Sequence, residues 1–246
     1  MENAELVGLS RQITLRRQLS IVANNLANMN TTGFKSENLL FEEYLQHKGT
    51  HNDFERRDRP VSYVQDDRTI TNMSVGAMVS TGKETDVALE EGQFFTIQTP
   101  AGDRYTRNGA FVVDLDGQLT TSEGSPVLSV DGGPIVFEDL DSNISIARDG
   151  TVTTDHGPGG RLAIAELTAP DADRRTSENL FFGGNPQPVA NPGVLQGFIE
   201  KSNVEGVREV SNIIEITRAY ERIAKQIQRQ DEIRREAIRT LGRLEA

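Results

Sequence analysis

The chain of 246 residues contains no cysteine, and none of its apolar runs approaches the length of a membrane span. The absence of cysteine excludes disulfide bonds and thiolate chemistry, although it does not fix a redox compartment. Because a membrane-spanning helix needs about 20 consecutive apolar residues, we expect no direct membrane insertion. The opening residues, MENAELVGLSRQ, lack the basic and apolar regions of a secretory signal, so we expect no cleaved signal peptide.

Basic side chains are also in short supply, since 26 Lys and Arg face 37 Asp and Glu, for a net charge of -11. The excess of acid is confined to residues 50–200, which carry 24 acidic and 11 basic side chains. Residues 1–49 and 201–246 are close to neutral. Nucleic-acid binding requires a basic patch, and none is visible, so we expect no nucleic-acid partner.

Both ends of the chain carry apolar residues at the spacing of a coiled-coil seam. The N-terminal seam consists of Leu15, Leu19, Val22, Leu26 and Met29, and the C-terminal seam of Ile213, Ile216, Tyr220, Ile223 and Ile227. The pattern predicts an N-terminal helix that glycine stops at Gly33 and a C-terminal helix from about Val207 to Leu244. Such narrow stripes are unstable alone in water. The two helices are therefore expected to pair within one chain, between chains, or both.

Between the helices the apolar period changes to two, which is typical of half-buried strands. The alternating pairs and triplets are Val87/Leu89, Phe95/Ile97, Phe111/Val113/Leu115, Ile144/Ile146 and Leu162/Ile164. Asp116-Gly117 and Asp149-Gly150 are hairpin turn signals, whereas residues 168–194 have the composition of a long loop. The predicted fold is α+β, in which N- and C-terminal α-helices pair as a coiled-coil-like core domain beside a central antiparallel all-β domain.

This pattern divides the chain into four regions. Residues 1–45 are predicted to hold the N-terminal helix and a turn, and 46–80 a polar linker or arm. Residues 81–200 are predicted to form the central β domain, and 201–246 the C-terminal helix.

Few residues suggest chemistry. Glu43, His47 and His51 have the spacing of metal ligands on one helix face, but Gly49 and Thr50 interrupt the pattern and favour a solvated helix end. The sequence predicts no catalytic residue, no cofactor and no metal site. An enzyme whose residues converge from distant positions stays an alternative, as does a binding module that joins other proteins.

Several stretches resemble the bacterial flagellar axial proteins of the rod and hook. ANNLAN (23–28) and TTGFK (31–35) are similar to their N-terminal signature, while SNV (202–204) and RAYE (218–221) are similar to their C-terminal signature. The middle stretches TDVAL (85–89), GQFF (92–95), YTRNGAF (105–111) and GSPVL (124–128) resemble their shared β domain. Gln93 departs from the family pattern, which often has glycine there. The resemblance covers most of the chain, except 46–80 and 168–194.

The resemblance implies a structural subunit of the flagellar basal-body rod, which crosses the periplasm and carries torque from motor to hook. Length and opening residues favour a proximal rod subunit, with a distal rod subunit or an adaptor of the axis as alternatives. The implied partners are copies of the chain, other proximal and distal rod proteins, and the flagellar type III export apparatus. We expect the terminal helices to form the core of a helical tube and to fold only on assembly.

The candidate assembly residues are the two seams together with the signature residues beside them. These further residues are Asn24, Asn25, Asn28, Gly33 and Phe34 at the N-terminal end, and Ser202, Asn203, Val204 and Arg218 at the C-terminal end. Asn24 and Asn28 share a helix face and are predicted to bond to a partner helix or a neighbouring subunit. The alternative is that Asn25, Asn28 and Asn30 merely end the helix and shape the turn before Gly33.

Overall fold

A computed structural model describes residues 2–46, 61–137, 143–167, 179–182 and 185–244. Its two helices are α1 (Glu2–Ala27) and α2 (Gly206–Leu244). The strands are β1 (Glu37–Gln46), β2 (Val61–Thr71), β3 (Met78–Ser80), β4 (Val87–Leu89), β5 (Gln93–Thr99), β6 (Gly102–Thr106), β7 (Val112–Val113), β8 (Leu119–Thr120), β9 (Ile144–Ile146), β10 (Thr151–Thr154), β11 (Gly157–Arg161), β12 (Ile164–Leu167), β13 (Pro186–Pro188), β14 (Val194–Gln196) and β15 (Phe198–Glu200). The fold is therefore α+β, as predicted.

The chain divides into two compact units. The helix unit comprises Met1–Leu26, Glu37–Ile70 and Gly206–Ala246, and the β unit comprises Ala27–Ser36 and Thr71–Glu205. Each unit is assembled from segments distant in sequence, so the chain passes between them at four points.

The helix unit contains both terminal helices. Helix α2 begins one residue before the predicted Val207 and ends at the predicted Leu244, and its 39 residues span roughly 58 Å at 1.5 Å per residue. Gly8 of α1 lies against Ile227 of α2, while Leu15 and Gln18 face the stretch of α2 that begins at Glu215. The two helices therefore run in opposite directions. Interlocking coiled-coil packing stays a prediction.

Helix α1 ends at Ala27, six residues before the predicted stop at Gly33. The amide of Thr31 donates to the carbonyl of Asn28 at 3.1 Å, and the Thr31 hydroxyl donates to Asn28 Oδ1 at 3.1 Å. These bonds form a turn that replaces the last part of the predicted helix. The glycine is required further on for another reason: its φ is +68°, and a Cβ there would lie 2.4 Å from the carbonyl carbon of Arg107.

Residues 37–80 contain strands that the sequence pattern did not predict. Residues 37–46 form strand β1, so the helix face predicted at Glu43 is wrong; His47 and His51 lie outside the described residues. The predicted linker or arm at 46–80 contains strand β2, which is the hydrogen-bonded neighbour of β1 in a two-stranded sheet. Apolar residues in 37–46 occur at mixed spacings, which is why the local pattern did not distinguish strand from helix.

The β unit is built from small sheets, and among the described residues their strand pairs are all antiparallel. The largest has the order β13-β12-β5-β6, and others pair β11-β10-β9, β14 with β4, β15 with β3, and β7 with β8. The predicted strands at Val87, Phe95, Ile144 and Ile164 are present. Leu115 is an exception, because it lies in the turn between β7 and β8 and is 95% exposed.

The larger of two apolar clusters among the described residues forms the core of the β unit. Its fully buried members include Phe95, Ile97, Leu119, Val127 and Val152. The rings of Phe95 and Phe111 meet edge to face, with centroids 4.9 Å apart. Within the predicted loop 168–194, strand β13 adds an edge to the main sheet by pairing with β12, so that part of the loop has regular structure.

Candidate assembly site

The seams are only partly buried in the single chain. In α1, Val22 is buried and Leu15, Leu19 and Leu26 are half-buried, whereas Met29, just beyond the helix, is exposed. In α2, Ile216 is buried and Ile213, Ile223 and Ile227 are half-buried, whereas Tyr220 and Arg218 are exposed. Most seam side chains are therefore partly covered within the single chain, but each seam keeps accessible apolar surface.

A second set of apolar side chains on the helices is exposed. On α1 these are Leu9 and Ile13, and on α2 they are Val207, Val210, Ile214, Ile233 and Ile238. Val207 is 86% exposed and Ile238 is 63% exposed. Scattered apolar residues are normal on a protein surface, but repeated exposure along two terminal helices is typical of surfaces that other chains cover.

An open groove of about 690 Å³ separates parts of the two helices within the helix unit. It is lined by the apolar residues Leu15, Ile216 and Ala219 and by charged residues of both signs, namely Glu215, Arg218, Glu221, Arg222 and Lys225.

The asparagines of ANNLAN have different roles. Asn25 is 1% exposed, and its side chain makes two bonds to the backbone of Glu37: Nδ2 donates to the carbonyl at 2.9 Å and Oδ1 accepts from the amide at 2.9 Å. Asn25 thus holds the first residue of β1 against the end of α1. Asn28 shapes the turn, as in the alternative explanation, and Asn24 is exposed. Bonds from Asn24 or Asn28 to other subunits stay a prediction.

A buried ionic cluster joins three distant segments of the β unit. The cluster consists of Lys35, Arg107 and Glu200, of which none is more than 3% exposed. Lys35 Nζ donates to Glu200 Oε1 at 2.6 Å and to the carbonyl of Ser74 at 2.7 Å. Arg107 donates to Glu200 Oε2 through Nε at 2.8 Å and also through Nη2. The amide of Gly76 donates to Glu200 Oε1 at 2.8 Å.

The remaining donors of Arg107 bind backbone carbonyls. Nη1 donates to the carbonyls of Glu90 and Gln93 at 2.6 and 2.5 Å, and Nη2 donates to that of Leu89 at 3.1 Å. One carboxylate therefore faces two cations, whose excess positive charge is directed at carbonyl dipoles. Burial lowers the pKa of Lys35 from its ordinary value, and the charge of Arg107 acts in the same direction, whereas Glu200 opposes both.

Asn203 extends the hydrogen bonding around the cluster within the β unit. Its Oδ1 accepts from the amide of Ser36 at 2.7 Å, and its Nδ2 donates to the carbonyls of Asn72 and Ser74 at 2.8 and 3.0 Å. Its own amide donates to the carbonyl of Phe34 at 3.3 Å. The predicted assembly residues Gly33, Phe34 and Asn203 therefore lie together inside one chain. Ser202 and Val204 lie beside them in sequence and are half-buried.

Family models match the N-terminal, central and C-terminal stretches of the chain. The family model for a flagella basal body rod protein matches residues 6–35, that for the flagellar hook protein FlgE/F/G D1 domain matches 88–154, and that for the flagellar basal body rod FlgEFG protein C-terminal matches 195–240. The flagellar basal-body rod protein FlgF of Caulobacter vibrioides is 38% identical over 99% of this chain and all of that protein.

The chain belongs to the flagellar basal-body rod protein family. FlgF of Rhizobium meliloti is 32% identical over 98% of this chain and 99% of that protein. The rod protein FlgG of Bacillus subtilis is 28% identical over 94% of this chain and 96% of that protein. Membership makes the chain a structural subunit of the flagellar rod, and the prediction of this family and function from the sequence is confirmed.

This rod protein contains a buried ionic cluster that the seam analysis missed. Lys35 and Arg107 occur in the stretches that carried the family resemblance, but their pairing through Glu200 left no local signal, since the partners are 165 and 93 residues from it in sequence. Among the described residues, no helix combines the length and apolar character needed to cross a membrane.

Proposed function

We propose that this rod protein polymerises through its terminal helices, with copies of itself and with other rod proteins, into the proximal part of the drive shaft. The observation that carries the proposal is the row of exposed apolar side chains on α1 and α2. Full burial of side chains such as Leu9, Ile13, Ile233 and Ile238 contributes roughly 1.5–3 kcal/mol each. Heterologous contacts of this kind, repeated from subunit to subunit, build open helical assemblies.

The relatives named FlgF support the proximal position over the distal one, since FlgF relatives match nearly the whole chain at 30–38% identity. FlgG relatives match at 28–34% identity and generally over less of the chain. Export through the flagellar type III apparatus, without signal cleavage, belongs to the same proposal. The proposal also includes the pairing of α1 with α2 as a coiled coil inside the tube.

The proposal is tested by making the helix surface polar in cells that lack the native protein. Leu9→Ser with Ile13→Ser, and separately Ile233→Ser with Ile238→Ser, are expected to abolish rods in electron micrographs of isolated basal bodies. Leu115→Ser is the matched control, because Leu115 is exposed but lies on a hairpin of the β unit. Wild-type rods in both double variants would overturn the proposal.

The asparagine prediction has its own test. Asn24→Ala with Asn28→Ala is expected to impair assembly while the β unit stays folded, as judged by its circular dichroism. Normal rods from this variant would refute a role of the two side chains between subunits.

Coupled folding of the helices is tested on the purified monomer by limited proteolysis with mass spectrometry. Helices that fold on assembly are cleaved within residues 2–26 and 206–244, and residues 27–36 are retained with the β unit. Resistant helices in the monomer would show that α1 and α2 are stably paired before assembly.

A further inference from the structure

The buried cluster lies within the β unit and holds segments that are next in sequence to the points where the chain leaves it. The chain crosses at residues 26/27, 36/37, 70/71 and 205/206. Three segments of the β unit are adjacent to these crossings, namely residues 27–36, 71–76 and 200–205. The contacts of Lys35, Glu200 and Asn203 join all three to one another.

The same contacts lie on the path of any force applied through the ends of the chain. Force from α1 enters the β unit at residue 27, and force from α2 enters it at residue 205. Residues 27–36 and 200–205 are held together directly by the Lys35–Glu200 ion pair. Two backbone bonds reinforce it: the amide of Gly33 donates to the carbonyl of Glu200 at 2.8 Å, and the amide of Asn203 donates to that of Phe34.

Strand pairing alone would resist such a force poorly. Strand β15 pairs with β3 over three residues, in the register Phe198↔Ser80, Ile199↔Val79 and Glu200↔Met78. The end at Glu200 and Met78 is the end from which the chain continues to α2 and to β2. Tension applied there opens the pair one rung at a time, so the first rung must be reinforced. Glu200 carries the cluster at that rung.

We propose that Lys35, Arg107, Glu200 and Asn203 form a mechanical clamp, which keeps the β unit closed when force is transmitted through the terminal helices. The inference rests on the proposed function for the origin of the force. A buried ion pair is often no more stabilising than a well-packed apolar cluster, so stability alone does not account for a buried ionic cluster at this position. Short, directional bonds lose most of their energy over a small extension, which gives a rigid connection and not a yielding one.

The clamp is tested by optical-trap stretching of the full-length monomer, which requires no assembly. Because the chain contains no cysteine, one cysteine added at each end provides specific attachment points. The opening rate of the β unit at a fixed force is compared among wild type, Glu200→Gln and Asn203→Ala. Val152→Ala is the matched control, since Val152 lies in the apolar core and not in the clamp.

We expect Glu200→Gln to raise the opening rate about 100-fold and Asn203→Ala about tenfold. Val152→Ala is expected to lower stability in urea and to change the opening rate far less than a clamp variant of equal urea stability. Asn203→Ala keeps the test valid if Glu200→Gln does not fold. Equal effects of clamp and core variants at matched stability, or an unchanged opening rate in Asn203→Ala, would overturn the proposal. Because the stretching uses the monomer, its result does not depend on polymerisation, which is tested separately by rod formation in the helix-surface variants.

Discussion

Replacement of Glu200 by Gln keeps the shape of the side chain and removes its charge. The Glu200 carboxylate accepts bonds from Lys35 Nζ, Gly76 N and two nitrogens of Arg107. The variant leaves two buried cations facing an amide that can donate as well as accept. Breaking a buried pair by removal of one partner costs about 3–5 kcal/mol. We expect the free energy of unfolding of the β unit to fall by about that amount, which lowers its melting temperature by about 10 °C for a unit of this size.

The assay is urea denaturation followed by circular dichroism, with calorimetry to separate the β unit from the helix unit. Arg148→Ala is the control, because the Arg148–Glu90 pair is 3.1 Å long but exposed. Exposed pairs contribute about 0–1 kcal/mol, so this variant is expected to remain close to wild type. A Glu200→Gln variant within about 1 kcal/mol of wild type would refute the reasoning, since it would mean that the cluster is solvated or relaxes without cost.

Three further predictions concern single residues. The pKa of Lys35 is lower in the folded chain than its ordinary value of 10.5, so the unfolded chain binds more protons between the two values. The contribution of Lys35 to stability therefore rises with pH towards 10.5 and is lost as pH falls through the folded-state pKa. The difference in unfolding free energy between wild type and Lys35→Met, measured against pH, checks this sign, and a difference that does not change with pH contradicts it. Gly124→Ala, where φ is +85° and nothing lies within 4 Å of the new Cβ, is expected to lower the free energy of unfolding by about 1–2 kcal/mol. Gly33→Ala adds a clash with the backbone of Arg107 to the same left-handed strain and is expected to lower it several times more. Equal losses of unfolding free energy in urea denaturation would exclude the clash. Asn25→Ala removes both bonds to Glu37, so it should lower the free energy of unfolding by about 1–3 kcal/mol and speed amide exchange at Glu37. Asn30→Ala, at an exposed position, should do neither. Slow exchange at Glu37 in Asn25→Ala would contradict this.

The parts of the fold that follow local rules were predictable from the sequence. Helix α2 combines a 3,4-spaced seam with opposite charges four residues apart, such as Glu221 and Lys225, and both signals act within one helix. In the strands at Val87 and Phe95, the alternating residues pack into the core of the β unit, and the intervening Ala88 and Phe94 are buried as well. Leu115 continues the alternation of β7, which predicts a strand, but the turn that contains Asp116-Gly117 already begins at Asp114, where the carbonyl accepts from the amide of Gly117.

The parts that depend on distant partners were not predictable. Strand β1 pairs with β2 across residues 47–60, and neither strand has clean alternation to reveal it. A charged residue such as Lys35, Arg107 or Glu200 is by default expected on the surface. Only the folded topology brings these three together, which is why the cluster had no signature in spacing or composition.

The most direct test of an assembly role for the terminal helices is hydrogen–deuterium exchange on the purified monomer and on assembled rods. Amides of α1 and α2 are expected to become strongly protected on assembly, while those of the core strands β5, β10 and β12 change little. Protection gained mainly within the β unit, with the helices unchanged, would contradict it and would place the subunit contacts on the strands.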